Sequence, residues 1–389
     1  GPHGNGTAED GADPPIEFGP NRNVVWRAAV PGRGHSSPIV LADRVVLTTA
    51  DERRQTQSVL CFDRDSGRLL WQTPINRGGF GKKHPKNTYA TPTPTSDGKT
   101  VYAVFWNHDQ VQLAALSLDG KVLWKRYVGP YVPIKYKFGY APSPLLYDET
   151  IIIASEFENG AYLIAVDKRT GRTVWKTPRP SQISFSSPIV GRVAGRDQLL
   201  ISGAYRVASY DPRSGRLLWS VKGTTAATCG TMVWDGNLVF ASGGYPDSQT
   251  IAVHADGSRR IAWQNNRKAY EQSLLAVDGF VYAVTDRGIA YCWDAETGQT
   301  RWMERLGGLY SSSPTFAAGR IYVSNEAGTT FVLAADPNAA RVLARTQLGN
   351  EVFASPAICD DRIFYRVAVN ENGRRQELLY CFGRTARSE

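Results

Sequence analysis

The sequence is short of the residues that announce chemistry. Its five cysteines, Cys61, Cys229, Cys292, Cys359 and Cys381, are odd in number and none adjoins another. That excludes a complete disulfide framework, and no Cys-x-x-Cys pair offers a zinc spacing. Four of them sit in the apolar settings LCF, YCW, AIC and YCF, where buried free thiols are expected. The five histidines, at positions 3, 35, 84, 108 and 254, are scattered and form no His-Glu-x-x-His. Metal centres are therefore not expected. There is no run of about 20 apolar residues to cross a membrane as a helix, and no long apolar stripe of helical period. The net charge is +9, but lysine and arginine are spread along the whole chain, often in turns. This favours an anionic partner only weakly, and nucleic acid, which asks for one concentrated basic patch, is not an expected partner.

What the sequence has in abundance is repetition. DRDSGRLLW (63–71), DKRTGRTVW (167–175), DPRSGRLLW (211–219) and DAETGQTRW (294–302) are copies of one phrase, with shorter versions in DGKVLW (119–124) and DGSRRIAW (256–263). Trp26 opens the series, Trp71, Trp124, Trp175, Trp219, Trp263 and Trp302 continue it, and Ala344 closes it, at steps of 39 to 53 residues. A period of this size denotes a solenoid, a propeller or an array. Each copy contains four short apolar runs bounded by turn residues. In the first they are SPIVL, VVLTTA, SVLCF and RLLWQ, which are strand and hairpin signals. The Asp of the phrase can accept backbone N–H bonds where the turn begins. Its Gly can supply the positive φ where the turn ends. The tryptophans are read as structural wedges between neighbouring sheets.

The units begin near Ser37, Thr93, Ser143, Ser187, Gly230, Ser273, Ser313 and Ser355, which makes eight. The last lacks its Trp-bearing strand, and Asn23 to Val30 is a spare one. The expected fold is thus all-β: an eight-bladed propeller of four-stranded antiparallel blades, closed by pairing the N-terminal strand with the last unit. Closure removes the exposed sheet edges that an open ring would leave. Because each blade packs only on its neighbours, residues 21–384 are expected to form a single domain despite their length. Residues 1–20, polar and rich in Gly and Pro, read as a disordered leader whose initial Gly-Pro looks like a protease-cleavage scar. A signal peptide or lipidated cysteine is expected to have preceded it. Residues 385–389 read as a tail.

The repeated Asp-x-x-Thr/Ser-Gly-x-x-x-Trp hairpin resembles the pyrroloquinoline quinone (PQQ)-type propeller repeat over residues 22 to 383. That resemblance implies an eight-bladed propeller of the kind found in quinone-dependent dehydrogenases and in BamB-like envelope proteins, and most closely a stand-alone bacterial, BamB-like member. It further implies a periplasmic, envelope or secreted location. The quinone enzymes use a pair of adjacent cysteines as a platform for the cofactor, and a calcium ion held by Glu, Asn and Asp. Neither pattern can be carried onto this chain, so no cofactor is expected and PQQ is judged not to bind. Repeat architecture speaks to fold and not to function.

Two crossings between units are long: Thr73 to Pro92 and Lys125 to Pro144. They are consecutive, so both should lie on one face beside the channel. Lys82, Lys83, His84, Lys86 and Lys137 mix there with Tyr89, Tyr136, Phe138 and Tyr140, and other crossings add Arg33, His35, Phe185, Tyr270, Glu271, Tyr310 and Phe353. A basic, aromatic funnel of this kind suits an anionic or glycan ligand, or a loop of a partner protein. The chain is therefore read as a non-catalytic, monomeric scaffold or ligand-binding module acting through that funnel. The alternatives are an enzyme acting on a carbohydrate or small acid, with His84, His35 or Tyr89 as the catalytic groups, and a degenerate PQQ-dependent dehydrogenase.

Overall fold

The computed structural model describes residues 3–384. Its strands fall into eight sheets of four antiparallel strands each. Blade 1 is Ile39–Leu41, Arg44–Asp51, Thr56–Asp63 and Leu69–Arg77, in that order from the axis outward. Blades 2 to 7 repeat this meander. The inner strands are only two to five residues long, whereas the second and third strands of blades 1 to 3 are almost wholly buried. The core is therefore a set of apolar layers between blades, as expected when sheets pack face to face around a ring.

Closure follows the expected pairing. Blade 8 is Ala357–Cys359, Arg362–Glu371 and Arg374–Phe382, and its outermost strand is Val24–Val30. Val24 stands opposite Phe382 and Val30 opposite Glu377. The Gly383 N–H donates to the Asn23 carbonyl at 3.0 Å, doing across two chain segments what the Asp63 N–H does to the Arg68 carbonyl within one hairpin.

The repeat phrase explains how neighbouring blades lock together. Asp63 Oδ1 accepts from the Ser66 N–H at 2.8 Å and from its hydroxyl at 2.6 Å, and Gly67 ends the turn at φ 72°. The tryptophan of the preceding blade then docks on this turn. Trp26 Nε1 donates to the Arg64 carbonyl, Trp71 to Leu118, Trp124 to Lys168, Trp175 to Pro212, Trp263 to Ala295 and Trp302 to Asp336, at 2.7 to 3.2 Å. The turn glycine is needed twice over, for its φ and for the approach of the ring: a Cβ on Gly120 would stand 2.6 Å from Trp71 Cδ2. Trp219 departs from this rule at the fifth hairpin, DGSRR. Its Nε1 donates at 2.7 Å to Gln198 Oε1, and Gln198 Nε2 reaches across the seam to the Ala255 carbonyl at 2.9 Å.

Two readings of the sequence are corrected here. The described part of the leader, residues 3–20, is packed rather than disordered. Thr7 pairs in parallel with Phe316 of the blade 7 inner strand (Thr315–Ala317), with Ala8 N–H to Phe316 O at 2.8 Å. Asp13 bonds the Arg320 guanidinium. Ala8, Ala12 and Phe18 are buried, and Phe18 lies 5.0 Å from the Phe382 ring and 6.2 Å from that of Tyr322. This is the seam between blades 7 and 8, where Ala344 replaces the expected tryptophan and is itself packed against the same cluster. Phe18 fills the gap that Ala344 leaves. Residues 1–2 and the tail at 385–389 lie outside the described residues. Second, the long crossings begin as strand: Leu69–Arg77 and Val122–Pro130 run nine residues each, against five or six for the outer strands of blades 3 to 7. The irregular crossings proper start after Arg77 and Pro130.

Candidate functional site

Each inner strand is entered through one hydroxyl residue, and these residues are linked around the axis. The backbone N–H of Ser37 donates to Thr93 Oγ1, Thr93 to Ser143, Ser143 to Ser187, Thr231 to Ser273, Ser273 to Ser313, Ser313 to Ser355 and Ser355 back to Ser37, all at 2.8 to 3.1 Å. The bond is missing only between Ser187 and Thr231. All eight residues line one cavity of about 310 Å³ at the channel mouth. Hydroxyls form its floor, and aromatic side chains its walls.

The walls come from the crossings. His35 is stacked on Phe353 with ring centroids 4.3 Å apart. Phe138 meets Phe185 edge-on at 5.8 Å, lies 6.1 Å from Tyr136 and 5.3 Å from His84. Tyr270 and Cys229 complete that side. The two long crossings do touch, since Asn87 Nδ2 donates to the Phe138 carbonyl at 2.8 Å.

Lys86 crosses the mouth. Its Nζ stands 3.0 Å from Glu271 Oε1 and 2.8 Å from Glu326 Oε1, so the crossing between blades 1 and 2 is tied to the far side of the ring. Burial works against its charge, but the two carboxylates outweigh burial and raise its pKa above the usual lysine value. His35 is held in the opposite sense. Burial, and then the charges of Arg33, Arg366, Arg375 and Lys86, lower its pKa well below the ordinary imidazole value, so the ring is neutral. Its Nε2 is buried without a hydrogen-bond partner. The Cys229 thiol is pushed up by burial and by the Glu271 charge, which leaves it a protonated and poor nucleophile.

The segment carrying His35 is clamped from below. Arg366 and Glu377, both in blade 8 and both buried, pair with Nε to Oε2 at 2.7 Å. Glu377 Oε1 accepts from the Gly34 N–H at 3.2 Å, and Arg366 NH1 donates to Ser36 Oγ at 3.0 Å and to the Thr48 carbonyl at 2.7 Å. A buried pair of this kind is weak evidence for stability, and its bonds to Gly34, Ser36 and Thr48 tie the segment to blade 8.

Of the residues expected to form the site, His35, His84, Lys86 and Phe138 line the cavity, together with Phe185, Tyr270, Glu271 and Phe353. Others are placed elsewhere. Tyr140 is buried with its hydroxyl donating to the Ala154 carbonyl at 2.7 Å, and Tyr310 is buried in the seam between blades 6 and 7. Tyr89 donates to the Gly81 carbonyl at 2.7 Å and stacks on Phe80. Lys83 lies over Tyr89 and pairs with Glu52 at 3.3 Å. Tyr136 backs Phe138, Arg33 sits behind His35, and Lys82 and Lys137 are exposed outside the cavity. The lysines expected to make the funnel basic are thus either paired, as Lys83 and Lys86 are, or exposed outside the cavity, as Lys82 and Lys137 are, while Arg33 stands beside His35 without a carboxylate partner among the described residues. The hydroxyl ring carried no functional reading in the sequence, although Ser-Pro or Thr-Pro at the head of most units was its signal.

Among known proteins, the family model described as "Outer membrane protein assembly factor BamB" matches residues 55–304. A polyvinylalcohol dehydrogenase from Sphingopyxis sp. (strain 113P3) is 22% identical over 77% of this chain, which spans only 61% of that protein. Among solved structures, BamB from Moraxella catarrhalis aligns with a TM-score of 0.65 at 15% identity, covering 94% of this chain and 98% of that one. A europium-containing methanol dehydrogenase aligns with a TM-score of 0.54 at 11% identity, covering 93% of each. At these identities the structural likeness speaks to fold alone.

Proposed function

The chain belongs to the propeller family described by outer membrane protein assembly factor BamB, and we propose that within it this protein is a non-catalytic binding module of the cell envelope. It acts as a monomer and engages a small ligand, or a loop of a partner protein, at the mouth of its funnel. The observation that carries this reading is the cavity itself: a recess of about 310 Å³, walled by aromatics and floored by fixed polar groups, which is how small-molecule sites are built. Among the described residues no helix is long and apolar enough to cross a membrane, and the envelope location rests on the family.

The dehydrogenases among its relatives favour a second reading, that of a quinoprotein. The residues present do not fit that cofactor. PQQ carries three carboxylates and works beside a calcium ion, so its site needs available cations and a group of oxygen ligands. Here Lys86, the lysine that lines the cavity, is engaged by Glu271 and Glu326. Cys229 is the one cysteine on the wall. Among the described residues the group of His, Cys, Asp or Glu side chains close enough to share an ion is Glu9, Cys359 and Asp360, none of which lines the cavity. Among the described residues the Tyr89 hydroxyl is committed to Gly81, the His35 ring has no carboxylate to orient it, and His84 Nδ1 accepts from the Lys86 backbone N–H at 3.2 Å and is likewise held by no carboxylate. Titration with PQQ and calcium, followed by a dye-reduction assay on alcohols and aldoses, is expected to give neither saturable binding nor turnover. Saturable binding with turnover would overturn the non-catalytic reading.

A further inference from the structure

The chemistry of the hydroxyl ring narrows what the funnel takes. Resting on the reading of the funnel as a binding site, we propose that its ligand is a neutral polyhydroxylated molecule of hexose or cyclitol size, set against Ser37, Ser143, Ser313 and their ring neighbours, with its C–H face on the aromatic wall. Seven of the eight hydroxyl oxygens accept one N–H, from the preceding member of the ring or, for Ser37, from Ser355. Among the described residues none of the eight donates its own proton to a protein acceptor. Each of the seven therefore keeps one free O–H and one free lone pair, and Thr231 keeps both lone pairs. A group that can donate and accept at every step around a circle matches a ligand that does the same, which is the property of a polyol.

Charge argues the same way. Lys83 is paired with Glu52, and Lys86, the lysine that lines the cavity, is already engaged by two carboxylates. An anionic ligand would have to displace Glu271 or Glu326 to reach Lys86, whereas a neutral one need not. The stacked His35–Phe353 pair and the Phe138–Phe185 pair offer flat apolar surface to the C–H face of a ring. The His35 ring adds a further flat face to that wall.

Calorimetric titration with myo-inositol, glucose and glucuronate tests this. Myo-inositol or glucose is expected to bind saturably, with an affinity that barely changes between about 50 and 500 mM salt, because no charge is neutralised. Ser143→Ala with Ser313→Ala is expected to weaken it at least about tenfold, through the loss of two hydroxyl partners. These substitutions also remove acceptors for the N–H groups of Thr93 and Ser273, so a second variant guards against misfolding. Ser143→Thr with Ser313→Thr keeps the hydroxyls, as Thr93 and Thr231 already do, and narrows the ring by two methyl groups. It should melt like the parent and still bind more weakly. No polyol binding at millimolar concentrations, or binding that both variants leave unchanged, overturns the proposal. Glucuronate binding at least tenfold tighter than glucose, and weakened by salt, overturns the neutral ligand class while leaving the funnel as the binding site.

Discussion

Removing residues 1–30 is expected to abolish cooperative folding, and removing residues 1–20 alone to cost about 3–5 kcal/mol, the range for emptying a large aromatic site. The shorter truncation leaves the closing strand in place but takes away Phe18, Ala12 and the Asp13–Arg320 contact from the seam between blades 7 and 8. Ala344 puts only a methyl group there, and among the described residues Phe18 is the large ring that the leader adds to this cluster. The longer truncation also strips Arg374–Phe382 of its partner, exposes a nine-residue edge and removes the Trp26 wedge from the seam between blades 8 and 1. Denaturant and thermal melts of the two truncations against the full chain check both claims. Equal midpoints for the two would sink the closure account, and an unchanged midpoint for the shorter would mean that Phe18 fills nothing.

Trp175→Ala is expected to cost about 3–5 kcal/mol on its own. Its ring is 9% exposed, shares a cluster with Leu163, Leu199 and Tyr210, and anchors to the Pro212 carbonyl at 3.1 Å. Removal leaves that carbonyl without its donor as well as opening a cavity. Trp302→Ala, at a site where the ring is only part-buried, should cost less. Denaturant melts rank the two, and a Trp175 loss below about 1 kcal/mol would show that blades are held by their strands and not by the docked ring.

The blades, their number and the closing strand were legible because their signals are local. A four-run unit with Asp-x-x-Ser/Thr-Gly at its last turn dictates a hairpin wherever it occurs, and a missing strand at one end with a spare at the other dictates closure. The leader was misread because its composition is that of a loop. Only two facts taken together, a lone Phe18 and an alanine at 344, point to its docking, and they lie more than 300 residues apart in the chain. The funnel was legible in part for the same reason. Position relative to the inner strands brings His35, Lys86 and Phe138 to the cavity lining, but the pairing of Lys83 with Glu52 and of Lys86 with Glu271 and Glu326 is made by the ring and not by sequence spacing. Charges that add in sequence cancel in space. Tyr140 and Tyr310 precede inner strands just as Phe185 and Phe353 do, yet their rings turn into the seams.

The central claim, that this propeller engages its ligand on the axis at the hydroxyl ring, is tested most directly by a crystal structure of the protein soaked with myo-inositol at the concentration that saturates calorimetry. The account predicts ligand density within hydrogen-bonding distance of Ser143 and Ser313, against the Phe138 and Phe353 rings and beneath Lys86. Ligand density on the outer strands or on the opposite face, with the ring holding only solvent, would contradict it.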